Sequence, residues 1–87
     1  MTVTIRMHGN LRRFLPEAQE SKPVDVAEGT TVEALLERFK AEKDTWLVAV
    51  NGAVVERTTP LRAGDLVECY EPVAGGSARS VGASRPG

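Results

Sequence analysis

Apolar and polar residues alternate strictly over Thr2–His8. Val3, Ile5 and Met7 fall on one side, Thr4, Arg6 and His8 on the other. That period of two predicts a half-buried strand, ended by Gly9-Asn10. Leu11, Phe14 and Leu15 can then pin a short segment to the core before Pro16. Lys22–Val26 reads as a second short strand with Val24 and Val26 on one face, returning antiparallel to the first. The period then changes. Val32, Leu35, Leu36 and Phe39 recur at i, i+3, i+4 and i+7, the stripe of an amphipathic helix. Thr30 and Glu33 have capping-box spacing, which places the start near Thr30–Thr31. No glycine marks the end, which is placed near Ala41–Lys43.

After the helix, Trp46–Val50 is apolar on both faces and is predicted as an interior or covered strand. Asn51-Gly52 is the strongest short hairpin signal, because a type I′ turn needs positive φ at both positions. Ala53–Glu56 returns as a fourth strand. Leu61 is a lone apolar anchor in a loop. Leu66–Glu71 is the last strand, with Val67 and Cys69 on one face and Leu66, Glu68 and Tyr70 on the other. One helix among short strands implies an α+β layer pair, with one sheet face under the helix and the other open to solvent or a partner.

Composition narrows the function. The chain has 87 residues, which bounds it to one small domain. Its net charge is −1, with eleven basic and twelve acidic residues mixed along it, so no basic stripe points to nucleic acid. No run has the length of a membrane span and no signal-peptide pattern follows Met1, so a cytoplasmic location is expected. One cysteine, Cys69, excludes an internal disulfide and a Cys-rich metal site. Cys69 has no residue spaced to activate it and reads as core. His8, the single histidine, lacks partners for a metal site or a catalytic base. Arg6, Arg12 and Arg13 read as solvated surface charge. No self-contained enzyme constellation is visible, and no metal site is expected.

The chemistry therefore points to the C-terminal stretch Glu71-Pro72-Val73-Ala74-Gly75-Gly76. Pro72 cannot donate a ladder hydrogen bond, so the strand should leave the sheet there. Gly75 and Gly76 carry no Cβ, so the backbone could thread a narrow channel and deliver a carboxyl group into another protein's active site. A plain linker is the other reading of the same dipeptide. Ser77–Gly87 has no apolar periodicity and no acid. It is expected to be a disordered tail, because Val81 alone cannot offset the entropy of ordering it.

The ordered set of motifs resembles the MoaD/ThiS family of ubiquitin-like sulfur carriers. The matching residues are Gly9-Asn10-Leu11-Arg12, Gly29-Thr30-Thr31-Val32 through Leu35-Leu36, Val48-Ala49-Val50-Asn51-Gly52, Leu61 with Gly64-Asp65-Leu66-Val67, and Pro72-Val73-Ala74-Gly75-Gly76. The resemblance covers residues 1–76. The long segment from Gly9 to Lys22 is more like the molybdopterin-type member. A β-grasp is implied: a mixed sheet of four to five strands, first and last parallel, with one main helix on one face.

The resemblance also implies a mechanism. An E1-like enzyme adenylates the carboxylate of Gly76 with ATP and magnesium, and the acyl-adenylate becomes a thiocarboxylate. A sulfur-accepting enzyme, such as the large subunit of molybdopterin synthase, then uses that sulfur. Gly76 is the reacting position and Gly75 the thin segment before it. Tyr70, with Leu66, lies at the partner interface, and Pro72, Val73 and Ala74 form the exit arm. The chain is then a carrier subunit, not an enzyme. It departs from the family in one respect: eleven residues follow Gly76. A protease removes them, or they are a cloning scar, or the Gly-Gly has no terminal role. The alternatives are a ubiquitin-like modifier conjugated through Gly76 and a β-grasp interaction module without terminal chemistry.

Overall fold

The computed structural model describes residues 1–72. Five strands form one mixed sheet in the order β2-β1-β5-β3-β4. They are β1 (Thr2–Met7), β2 (Ser21–Asp25), β3 (Leu47–Val50), β4 (Ala53–Val55) and β5 (Leu66–Tyr70), with helix α1 (Val32–Arg38) between β2 and β3. β1 and β5 run parallel, pairing Ile5 with Val67 and Met7 with Cys69. The β1–β2, β3–β4 and β3–β5 pairs are antiparallel. This is the ubiquitin-like β-grasp. The two hairpins lie at the outer edges, and the last strand is inserted between them.

Alternation decides what is buried. Val3, Ile5, Met7, Val48, Val67 and Cys69 point to one face and are buried, and Val32, Leu35 and Leu36 of α1 close over them. Leu11, Leu15, Val24 and Leu61 join the same core, while Phe14 and Phe39 pack on it partly buried. Val50 pairs with Ala53 across a two-residue loop in which Asn51 has φ 53° and Gly52 φ 88°, the two positive values a type I′ turn needs.

The helix starts within the expected bounds, but its capping and its end differ from the sequence expectation. The N-cap is Thr31, whose Oγ1 accepts the Ala34 N–H at 3.2 Å. Thr30 is not the cap; its hydroxyl donates to the Ala27 carbonyl. Glu33 does not reach back either, because its carboxylate accepts from Arg57 at 3.1 Å. The distant loop after β4 explains the shift. The Val32 N–H donates to the Thr59 carbonyl and the Glu33 N–H to the Arg57 carbonyl, so first-turn donors left unpaired by the helix itself are met from outside. Arg57 also donates to the carbonyls of Glu42 and Thr45, tying the start of α1 to the loop beyond its end.

The helix stops at Arg38, short of Ala41–Lys43. Lys40 takes φ 61°, the left-handed position that glycine usually fills. The Lys40 N–H donates to the Glu37 carbonyl and the Ala41 N–H to that of Leu36. This is a Schellman motif, and its apolar contact is supplied by Ala41 and Leu36, both buried.

Trp46 also departs from the sequence expectation. It precedes β3 rather than starting it, and it is 63% exposed, not covered. Its backbone N–H still donates to the Tyr70 carbonyl at 2.8 Å, one residue before the strand begins.

Candidate docking face and chain exit

The face of the sheet opposite α1 carries the alternate residues of each strand. The parallel register sets Arg6 beside Glu68, which places His8 beside Tyr70. On the other side, β3 sets Leu47 opposite Tyr70 and Ala49 opposite Glu68. Val54 of β4 lies beside Ala49 and is 65% exposed. One row across the sheet is therefore Leu47, Tyr70 and His8. The next is Val54, Ala49, Glu68 and Arg6. Leu66 continues the strip along β5 and, like Tyr70, is half-buried. Both lie on the face expected for them.

His8 and Tyr70 are side-chain neighbours on this face. Their rings are stacked, with centroids 4.4 Å apart and planes 3° from parallel. Nε2 of His8 is 3.1 Å from a carboxylate oxygen of Glu68. The acid fixes the imidazole, and the imidazole backs one face of the phenol ring. Sequence inspection left His8 without partners, because both partners sit some sixty positions away. The signal that could have found them was the parallel pairing of first and last strands. Ring stacking, together with the His8–Glu68 contact, favours one orientation of the Tyr70 ring.

The neighbouring charges are ordinary surface pairs. Arg6 meets Glu20 at 2.9 Å, and that hydrogen bond, followed by the guanidinium's charge, holds the Glu20 carboxyl below its usual range. Arg12 donates to the Ala18 carbonyl. Arg13 donates to the Asn10 carbonyl, and its guanidinium lies over the Phe14 ring. Leu66 is locked from the hairpin side, since its N–H donates to the Asn51 side-chain oxygen.

Cys69 faces the other way. It is fully buried, and burial pushes its thiol up to about 12. A thiol so placed is a small core residue rather than a nucleophile. Among the described residues, no group of three or more His, Cys, Asp and Glu could hold a metal ion. No helix among them is long and apolar enough to cross a membrane.

The described part of the chain ends beside this face. β5 ends at Tyr70, and Glu71 and Pro72 follow outside any strand. An Oε atom of Glu71 accepts the Asn10 N–H at 2.9 Å. Val73, Ala74, Gly75 and Gly76, and the tail Ser77–Gly87, lie outside the described residues.

Known proteins share this arrangement. A Pyrococcus furiosus structure described as a molybdopterin converting factor subunit 1 superposes with a TM-score of 0.69 at 23% identity, covering 84% of this chain and 99% of that one. Small archaeal modifier protein 1 of Haloferax volcanii gives 0.69 at 17% identity, covering 83% and 98%. The Helicobacter pylori complex of subunits 1 and 2 of molybdopterin-converting factor gives 0.55 at 23% identity, covering 86% and 99%. No curated protein sequence matches. At these identities the structural likenesses speak for the β-grasp alone. The family assignment comes from the sequence model described as the ThiS family, which matches residues 5–76, and the chain belongs to that family, the MoaD/ThiS group its motifs resemble.

Proposed function

We propose that this protein is a sulfur carrier that acts through the carboxylate of Gly76 once residues 77–87 have been removed. The observation that carries the reading is the extent of the family match. It runs through the Gly75-Gly76 pair and stops there, at the end of a stretch that begins where β5 leaves the sheet. A carboxylate is a poor electrophile. Attack of its oxygen on the α-phosphorus of ATP, in an E1-like partner that also holds magnesium, displaces pyrophosphate and makes AMP the leaving group. A sulfur nucleophile at the sulfide level then displaces AMP and leaves the thiocarboxylate. Glycine at the terminus offers the least hindrance to both attacks.

The carrier itself contributes a body that partners recognise and an arm that reaches their active sites. Tyr70 and Leu66 form the docking face, and Pro72, Val73 and Ala74 the arm. The likeness to a subunit of molybdopterin-converting factor, whose H. pylori counterpart is seen in complex with a second subunit, supports an accepting enzyme of the molybdopterin type. The setting is cytoplasmic, and a protease that cleaves after Gly76 is required if the tail is native.

The test is ATP–pyrophosphate exchange with the E1-like enzyme from the same cell. The chain ended at Gly76 supports exchange, and the full-length chain does not. One alanine added after Gly76 abolishes it, because the carboxyl is displaced by one residue, about 3.3–3.6 Å. Full activity of the untrimmed chain contradicts the proposal and leaves the interaction module. The likeness to an archaeal modifier protein favours one second reading, conjugation of trimmed Gly76 to lysines of other proteins. It would appear as the chain attached to larger proteins in cell extracts.

A further inference from the structure

Gly9 and Glu71 are fitted to each other. Gly9 has φ +63°, and a Cβ built on it would lie 2.1 Å from Oε2 of Glu71. Positive φ alone would admit asparagine or, at a cost, other residues. The carboxylate oxygen also occupies the space a Cβ would take, so a side chain at this position would have to displace the end of Glu71. The same oxygen accepts the N–H of Asn10 at 2.9 Å. The sheet has already released the chain at this point. The His8 N–H donates to the Cys69 carbonyl, the Trp46 N–H donates to the Tyr70 carbonyl, and Pro72 has no N–H to give. Among the described residues, the Glu71 side chain makes the last hydrogen bond between the body and the departing chain.

We propose that Glu71 is a positioning residue. Latched to the Gly9–Asn10 backbone, it fixes the point and direction at which the arm leaves the body, and so aligns Gly76 for the activating enzyme. This rests on the carrier reading above. Gly76 lies five residues beyond Glu71, a reach of about 17 Å when extended. Angular slack at the root is multiplied over that length, and the freedom of an unlatched arm is lost when it enters the partner, a cost that falls on binding and so on KM. A carboxylate accepting a backbone N–H is a charge-assisted bond, strong for its size. The latch also gives Gly9 a purpose beyond turning the chain after β1.

The test uses the chain ended at Gly76 and four variants: E71A, E71Q, G9A and G9A/E71A. In ATP–pyrophosphate exchange with the E1-like enzyme, E71A raises KM for the carrier by roughly three- to tenfold with kcat unchanged. E71Q, whose amide oxygen still accepts from Asn10, stays near the parent. G9A evicts the carboxylate and reproduces the KM of E71A, and the double variant shows no further rise. Equal KM for E71A and the parent, or independent addition of G9A and E71A, overturns the latch while leaving the carrier reading intact. If the parent itself supports no exchange, the carrier reading falls. The latch is then judged by hydrogen exchange at the Asn10 amide. That amide is protected in the parent and E71Q and unprotected in E71A; equal rates in all three overturn it.

Discussion

Lys40 holds the left-handed position of the Schellman motif that ends α1, with φ 61°. The backbone needs that conformation so that the Lys40 and Ala41 N–H groups can reach the carbonyls of Glu37 and Leu36. A Cβ in the left-handed region costs about 1–2 kcal/mol. Glycine there removes that cost but adds back about 0.4–1 kcal/mol through the freedom it gains in the unfolded chain. The net gain of Lys40→Gly over Lys40→Ala is therefore about 0.5–1 kcal/mol. In a domain of this size that raises Tm by about 2–8 °C. Alanine is the proper reference, because both variants lose the lysine charge, whose interaction with the helix C-terminus is worth about 0.3–1 kcal/mol. Thermal unfolding followed by circular dichroism measures the difference. A Tm for Lys40→Gly equal to or below that of Lys40→Ala would refute the Schellman assignment and the account of where the helix stops.

Other predictions address the core, the open face and the buried thiol. Leu35 is fully buried under the helix stripe, so Leu35→Ala should cost about 2–5 kcal/mol in urea unfolding; a midpoint that barely moves removes that stripe from the core. Tyr70→Ala should weaken partner binding by about 2 kcal/mol or more in calorimetry, with an unchanged far-ultraviolet spectrum because the ring lies outside the helix-covered core. Cys69 should resist thiol reagents in the folded protein and react fully in denaturant. Burial raises its folded value from 9.0 to about 12, so the stability it contributes is fully present below pH 9 and is lost as pH rises toward 12. Cys69→Ala should flatten the alkaline fall in urea midpoint over that window, and an unchanged slope would count against burial as its cause.

The strands were legible because alternation leaves little freedom. A one-residue slip in β5 would turn Val67 and Cys69 outward and Tyr70 into the core. Asn51-Gly52 fixed the central hairpin for an equally local reason, the positive φ at both positions. The features that escaped depend on partners far along the chain. Thr31 rather than Thr30 caps the helix because the loop carrying Arg57 and Thr59 meets the first-turn N–H groups. Capping-box spacing carries no information about that loop. The end of α1 was hidden because a lysine occupies a position where glycine is the usual signal. Trp46 continues the apolar pattern of β3, yet it precedes the strand and is exposed. The His8–Glu68–Tyr70 cluster and the Gly9–Glu71 fit both arise where the first and last strands lie side by side, a juxtaposition that only the topology makes.

The central claim is that Gly76, once terminal, carries sulfur as a thiocarboxylate. Its most direct test is the intact mass of the chain ended at Gly76 after incubation with the E1-like enzyme, ATP, magnesium and a sulfide-level sulfur donor. The account predicts the gain expected for exchange of one oxygen by one sulfur, located by fragmentation at Gly76 and absent without ATP. An unchanged mass after acyl-adenylate has demonstrably formed, or a gain located at Cys69 instead, would contradict it.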